Sequence, residues 1–278
     1  MLNLTFEIFR VRVVPSFQGH FWEETKSRPE ILRNAVTGAR GREKGIWHIG
    51  NVEALDKHGL YFRIGRVAHS EKESYENGNF VPVEDNEAPS THVLLDVHLE
   101  VCAIGRRPIL SSSATGIANQ LVKILQSSEE AKRSEATFEI ARIPDPQKFI
   151  EYIKKASKIF KFYVTYRRPN HFDVNQDFNG PYQRLLEKTR GDRGITQIEG
   201  ENLDARPLED IARSAASTGD DARVWLVTEK GDRTKKMLRD NPVSISTGGL
   251  DSEKEKIGFL NRVREVYAHI RRDLHGII

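Results

Sequence analysis

The residues of this 278-residue chain that are best suited to chemistry are cations placed at the ends of predicted strands. Arginine forks hold phosphate oxygens in two-pronged hydrogen bonds, and aromatic rings between the cations can stack on bases. If the cations share one face, they form a groove that binds nucleic-acid backbones. The candidate binding residues are Arg63, Arg66, Arg106, Arg107, Lys154, Lys155, Lys161, Arg167, Arg168 and Asn170.

The segment from Phe160 to Asn170 carries this pattern most clearly. Its aromatic and apolar residues alternate with polar ones at the period of two that is typical of a strand. We predict that Phe160, Phe162, Val164 and Tyr166 lie on one face, and that Lys161, Tyr163, Thr165 and Arg167 lie on the other. Pro169 then ends the strand, because proline donates no hydrogen bond to a sheet. The first face suits a core, whereas the second suits phosphates or solvent.

Charge balance permits this function without demanding it. The chain has 43 basic and 40 acidic residues, so its formal net charge is only +3. A solvated basic surface balanced by acids therefore stays open as the alternative, since clustering on one face matters more than the total.

Composition also excludes several classes of protein. No apolar run approaches the roughly 20 residues of a membrane helix, so we predict no stable membrane insertion. The first ten residues alternate polar and apolar types, unlike a secretory signal. The single cysteine, Cys102, has no partner for an internal disulfide and suits a reducing compartment. We predict a cytoplasmic protein.

Catalytic signatures are weak throughout. Asp96 and Glu100 are four residues apart on a predicted strand, and a second acidic group, Glu199, Glu201 and Asp204, surrounds a predicted turn. Either group could contribute to a metal-dependent nuclease, although surface carboxylates are the commoner explanation. The chain has no Gly-x-Ser-x-Gly motif and no phosphate-binding loop ending in Gly-Lys-Ser/Thr. We therefore predict no catalytic residues, metal or cofactor.

The pattern of elements predicts an α+β protein of two domains. Residues 1–130 form a mostly antiparallel β domain with one long helix, and residues 131–278 form a mixed α/β domain. In the first domain we expect a hairpin over 46–68, an acidic surface excursion over 70–90, and a helix that begins after Ser113. A polar linker over 127–135 precedes the second domain.

The second domain begins with a strand, a helix and a strand, the order of a crossover unit. The helix starts with Asp145 as its N-cap and Pro146 at its first position. A long helix over 253–274 follows at the end, and its apolar residues step by three and four. We favour packing of this stripe on its own domain, and a homodimer seam is the alternative.

Three sequence segments also resemble a known group of proteins. The segments are Tyr-Phe-Arg-Ile-Gly-Arg-Val, then His-Val-Leu-Leu-Asp-Val-His-Leu-Glu-Val-Cys-Ala-Ile-Gly-Arg-Arg, and finally Tyr-Arg-Arg-Pro-Asn. With the acidic excursion and the helix between them, their layout is similar to that of RexA-type proteins of bacterial abortive infection and the KwaB component of the Kiwa system.

The resemblance implies a dimeric, two-domain α+β protein that binds DNA largely without sequence preference during anti-phage defence. By position it carries over Arg63, Arg66, Arg106, Arg107, Arg167, Arg168 and Asn170 as binding candidates. We therefore expect a non-enzymatic protein that binds DNA rather than RNA, forms a homodimer and works with a second defence-system protein. A partner-activated nuclease and an adaptor that docks through its last helix are the alternatives.

Overall fold

The computed structural model describes residues 4–14, 26–39, 46–76, 79–167, 179–189, 191 and 193–272. Helices and strands are mixed along the chain, and a long helix follows the last strand. The predicted α+β class is therefore confirmed. The strands are β1 Leu4–Val14, β2 Trp47–Ala54, β3 Gly59–Arg66, β4 Ala68–Glu76, β5 Asn79–Glu87, β6 Ser90–Asp96, β7 Val101–Gly105, β8 Thr137–Arg142, β9 Ala156–Arg167, β10 Arg193–Glu199, β11 Ala222–Thr228, β12 Arg233–Met237 and β13 Ser244–Thr247. The helices are α1 Arg28–Gly38, α2 Ala114–Gln126, α3 Glu129–Arg133, α4 Pro146–Lys154, α5 Asn179–Thr189, α6 Ala205–Thr218 and α7 Glu253–Arg272.

The largest sheet has the strand order β13-β1-β7-β6-β3-β2, and β8 also pairs with β1. The predicted hairpin over 46–68 is its β2–β3 edge, which is antiparallel. The strands β3, β6 and β7 continue the antiparallel pattern. Their apolar side chains are almost completely buried, as at Phe62, Ile64 and Leu94.

The acidic segment over 70–90 is more regular than the sequence predicts. It contains β4 and β5, which pair antiparallel from Ala68↔Glu87 to Glu76↔Asn79 as a separate two-stranded sheet. The expected surface excursion is therefore a β-hairpin. The acidic and turn-forming residues of this segment lack the alternation that predicts strands, so the hairpin is not evident from the sequence.

The second sheet has the order β10-β9-β11-β12, and its pairings are antiparallel. The predicted crossover unit is wrong, because β8 pairs with β1 in the larger sheet whereas β9 lies in this one. The helix between them starts as predicted: the Asp145 carboxylate accepts a hydrogen bond from the Gln147 amide, and Pro146 occupies the first turn.

The chain divides into two compact units, each made of interleaved segments. The first unit contains Met1–Phe6, Val11–Ile140 and Ser246–Leu260, and the second contains Glu7–Arg10, Ala141–Ile245 and Asn261–Ile278. The predicted boundary at residues 130 and 131 falls inside the long segment of the first unit. The predicted linker over 127–135 contains α3, which Ser128 caps by accepting from the Ala131 amide.

The long helix α7 buries its apolar stripe within the chain. Leu260, Val263, Tyr267 and Ile270 are at most 6% exposed. In the first unit, the Phe259 ring lies 4.7 Å from the Phe6 ring. The stripe thus packs on its own chain, as favoured from the sequence. A homodimer stays a prediction, but the buried stripe of α7 is not available as its interface. Among the described helices, none is both long and apolar enough to cross a bilayer.

Candidate nucleic-acid interface

The strand β9 has two chemically different faces, and the sequence predicts most of this division. Phe162, Val164 and Tyr166 are at most 3% exposed, whereas Lys161 and Tyr163 on the other face are only half-buried. Alternation of side chains across a strand explains the difference. The residues of β9 therefore present one apolar face and one mixed face.

A β-bulge corrects the prediction for Phe160. Lys161 lies opposite Trp225 of β11, but the next pair joins Ile159 to Leu226, so Phe160 is one extra residue on β9. Such an insertion breaks the period of two. The Phe160 ring lies 5.9 Å from the guanidinium carbon of Arg233 and belongs to the mixed face rather than to the core.

The neighbouring strands add a tryptophan and more cations to the mixed face. Trp225 lies between two lysines: its ring centroid is 5.3 Å from the Lys161 ammonium and 5.1 Å from the Lys235 ammonium. Register explains this arrangement, because Trp225 is directly opposite Lys161 on one side and Lys235 on the other. The ring is therefore flanked by positive charge on both neighbouring strands.

A second pair of side chains lies one step along the same strands. Arg223 is opposite Tyr163, and its guanidinium carbon lies 5.4 Å from the tyrosine ring centroid. Distances of this size are typical of cation–π contacts. We call the complete set the cation–aromatic face: Phe160, Lys161, Tyr163, Arg223, Trp225, Arg233 and Lys235.

Helices cover the opposite face of this sheet. The helices α4 and α6 pack on each other and on β9. They contribute the buried side chains Phe149, Ile150, Ile153, Leu208 and Ile211. Because Phe162 and Val164 are buried and Lys161 is not, the helices lie on the apolar side. The helices thus bury the apolar face of the sheet, whereas its cation–aromatic face stays partly exposed.

The charges of the face are only partly neutralised. The Lys161 ammonium lies 2.9 Å from a Glu199 carboxylate oxygen, and the Arg223 guanidinium lies 3.0 Å from Asp221. Arg233 and Lys235 are exposed, and neither forms an ion pair with the described side chains. Four cations against two carboxylates leave an excess of positive charge where rings are also accessible.

The structure brings few of the predicted second-domain residues together. Lys161 is on the cation–aromatic face, and Arg167 ends β9 opposite Arg193. Lys154 and Lys155 instead belong to the end of α4 on the helical side, where Lys154 pairs with Glu209 at 3.2 Å. Lys155 lies 3.9 Å from Glu151. Arg168 and Asn170 lie outside the described residues.

The four predicted arginines of the first unit do not form one continuous surface either. Arg63 and Arg66 are three residues apart on β3, so their side chains point to opposite faces. The Arg66 guanidinium donates to the Ile109 carbonyl at 3.1 Å. Arg106 and Arg107 are exposed just after β7. Arg63 and Arg107 both act electrostatically on one imidazole, that of His92.

His92 belongs to a polar cluster that sequence reasoning missed. Its Nδ1 lies 2.8 Å from the Tyr61 hydroxyl, and Arg63 is directly opposite it on β3. The Lys256 ammonium lies 4.1 Å from the centroid of the Tyr61 ring and 2.6 Å from a Glu53 carboxylate oxygen. Burial, together with the charges of Arg63 and other cations, lowers the pKa of His92. The cluster holds a neutral imidazole beside a phenol.

Two of the carboxylates considered for a nuclease, Asp96 and Asp204, have structural roles. Asp96 ends β6 and accepts a hydrogen bond from the Leu99 amide at 2.7 Å, so it closes the turn before Glu100. Asp204 caps α6 by accepting from the Arg206 amide at 3.1 Å. Glu100 lies in the turn between β6 and β7, so the prediction that Asp96 and Glu100 lie on one strand is wrong. Within the described residues, no group of three or more potential ligands is placed to hold a metal ion.

Four residues of the cation–aromatic face have no place among the sequence-predicted candidates: Arg223, Trp225, Arg233 and Lys235. The segment from Arg223 to Thr228 predicts a strand by its alternation, but its pairing with β9 is not evident from the sequence. The spacing of Arg233 and Lys235, two residues apart after Gly231, is the signal that could have indicated β12.

Comparison with models of protein families and with curated protein sequences found no match.

Proposed function

We propose that this protein binds nucleic acid through the cation–aromatic face of its second unit. One observation carries the proposal: Trp225 is exposed in part and flanked at 5.3 and 5.1 Å by two lysines from neighbouring strands. Cations attract phosphates, whereas a ring gives bases a surface for stacking. One sheet face can therefore bind both the phosphates and the bases of a polynucleotide.

The charge arrangement favours the proposal over a merely solvated surface. A solvated basic face is balanced by neighbouring acids, as Lys154 is by Glu209 on the helical side. Arg233 and Lys235 are instead exposed without an ion pair to the described side chains, and both approach aromatic rings. Their charges are available to a polyanion without first breaking a salt bridge.

The wider role that we propose is DNA binding in bacterial anti-phage defence, without catalysis by this chain. This part depends on the resemblance of three sequence segments to RexA-type and KwaB-like proteins, and on the arginines predicted at strand ends in both halves. DNA is the first target to test, and a homodimer and a second defence-system protein are the proposed partners.

A charge-matched pair of double variants tests the binding proposal. Replacing Arg233 and Lys235 by alanine removes two cations from the cation–aromatic face, whereas replacing Lys154 and Lys155 removes two from the helical side. We expect the first variant to bind DNA about tenfold more weakly at 100 mM salt, with a shallower salt dependence by roughly 1.4 to 1.8 in log–log slope, since each lost phosphate contact contributes about 0.7 to 0.9.

The control variant should bind within about twofold of the unaltered protein. Fluorescence anisotropy with labelled oligonucleotides over 50 to 300 mM salt measures both quantities. Equal losses in the two variants would contradict the assigned face, because they would show that only total charge matters. No measurable binding by the unaltered protein, even at the lowest salt, would refute nucleic-acid binding altogether.

A further inference from the structure

We propose that the ligand of the cation–aromatic face is single-stranded nucleic acid, with one base stacked on Trp225 and the next on Tyr163. This inference rests on the proposed function and specifies which form of nucleic acid is bound. It depends on the position of the two rings in the sheet rather than on the amount of charge.

The two rings are placed for neighbouring bases. Trp225 is opposite Lys161, and Tyr163 is opposite Arg223, so the rings occupy diagonal positions on the adjacent strands β11 and β9. Diagonal neighbours in an antiparallel pair are about 7–8 Å apart, close enough for consecutive bases of one strand to reach both rings. Each ring also has a cation within 5.4 Å.

The cations next to the rings suit the backbone of the same strand. Lys161 and Lys235 flank Trp225 from both sides, and Arg223 lies beside Tyr163. When a base stacks on a ring, its sugar and phosphate lie beside that ring. An ammonium that now contacts the indole can then turn to a phosphate oxygen through rotation of its own side chain.

The width of the sheet argues against a duplex. Four strands spaced by about 4.8 Å extend over roughly 14 Å, without counting side chains. A major groove about 12 Å wide admits a helix or a two-stranded ribbon, so the whole sheet face cannot enter it. Paired bases expose only their edges in the grooves, whereas rings in the middle of a sheet need exposed base faces. Only an unpaired strand offers them.

An oligonucleotide without bases separates stacking from charge. We would compare thymidine and uridine 12-mers, an abasic 12-mer with the same phosphates, and a 12-base-pair duplex by anisotropy at 100 mM salt. We expect the 12-mers with bases to bind at least tenfold more tightly than the abasic strand and the duplex. The deoxy and ribo strands show whether the sugar matters.

Variants of Trp225 assign the preference to the ring. Trp225→Ala should weaken binding of the thymidine 12-mer about 5- to 150-fold, the range for one lost base stack, and should leave the abasic strand within twofold. Trp225→Phe keeps an aromatic ring and should recover most of the affinity. Trp47→Phe, in the first unit, is the matched control and should bind like the unaltered protein.

The emission of Trp225 provides a second readout, measured at strand concentrations that saturate binding. In a protein with Trp22 and Trp47 replaced by phenylalanine, stacking should quench the remaining tryptophan on addition of the thymidine 12-mer and not of the abasic strand. A duplex that binds as tightly as the single strand, or equal losses of both strands in Trp225→Ala, would overturn the inference. The proposed function would then still stand if the Arg233 and Lys235 variant loses duplex binding.

Discussion

The buried arginine of the second unit allows a quantitative test of the structure. Arg10 of β1 has no exposed surface, and its Nη1 donates a hydrogen bond to the Tyr267 hydroxyl of α7. The guanidinium carbon also lies 5.5 Å from the centroid of the Tyr267 ring. The same hydroxyl donates to the Ser217 carbonyl at 3.2 Å. Tyr267→Phe would remove both hydrogen bonds while keeping the ring.

The expected loss follows from these two bonds. A hydrogen bond to a charged group contributes about 1.5–3 kcal/mol, and a neutral one contributes about 0.5–1.5 kcal/mol. The phenylalanine ring preserves the cation–π contact and almost the full volume, so no large cavity term is added. We therefore expect Tyr267→Phe to lower the free energy of unfolding by about 2–4.5 kcal/mol.

A double-mutant cycle separates the two bonds. In a protein that carries Arg10→Met, the charged bond is already absent, and Tyr267→Phe should cost only the Ser217 bond, about 0.5–1.5 kcal/mol. The coupling energy should thus be about 1.5–3 kcal/mol. Urea unfolding measured by circular dichroism and by Trp225 emission, with Trp22 and Trp47 replaced by phenylalanine, reports on the unit that contains Arg10.

The control for this cycle is Tyr163→Phe, which removes the hydroxyl of a half-exposed tyrosine on the cation–aromatic face. It should change stability by less than about 0.5 kcal/mol. The reasoning would be refuted if Tyr267→Phe cost less than about 1 kcal/mol, or if its cost were the same with arginine and with methionine at position 10.

Three further predictions concern the first unit. Gly65→Ala should destabilise the protein by about 1–3 kcal/mol in urea unfolding, because the added Cβ would lie 2.5 Å from the Pro89 carbonyl oxygen. Gly50→Ala is the control and should not destabilise it, because an added Cβ there meets nothing within 4 Å. Equal effects of the two substitutions would contradict this reasoning. Burial raises the pKa of the Cys102 thiol, so native protein should react with a thiol reagent only on unfolding, and rapid native labelling would count against it. The lowered pKa of His92 means that the unfolded state takes up a proton first, at the ordinary value of about 6.5. Stability should therefore fall as pH drops below about 6.5, until the folded imidazole also protonates, and His92→Gln should flatten this slope in melts between pH 5 and 7.5; an unchanged slope would rule out the histidine as its source.

Local signals in the sequence predicted much of the fold. Asp145 and Pro146 mark the start of α4 because one supplies an acceptor for free amides and the other a preset backbone angle. Alternation identified β9 and its core residues, since Phe162 and Val164 recur at the period of a strand. Such signals depend only on near neighbours in the chain.

Pairing between distant strands accounts for what was missed. The crossover prediction failed because nothing local shows that β8 pairs with β1 instead of joining the sheet of β9. The segment of β12, Arg-Thr-Lys-Lys-Met, is too polar for a burial pattern to reveal it, as an edge strand can be. Because the positions of β11 and β12 beside β9 are not evident from the sequence, Lys161 is the one member of the cation–aromatic face among the predicted binding residues. The burial of Arg10 is not evident from the sequence for the same reason, since its partner Tyr267 is 257 residues away.

The interleaving of the two units has a consequence for synthesis. Arg10 is made early, but the tyrosine that receives its hydrogen bond follows 257 positions later. At about 5–20 residues per second, a ribosome needs roughly 13 to 50 s to cover that distance. Late in this interval, once β12 has been made, all four strands of the second sheet are present while α7 is still missing, so Arg10 has no Tyr267 hydroxyl to bind. The second unit can therefore finish folding only after α7 has been synthesised. A chain interrupted before residue 246 lacks a segment of both units.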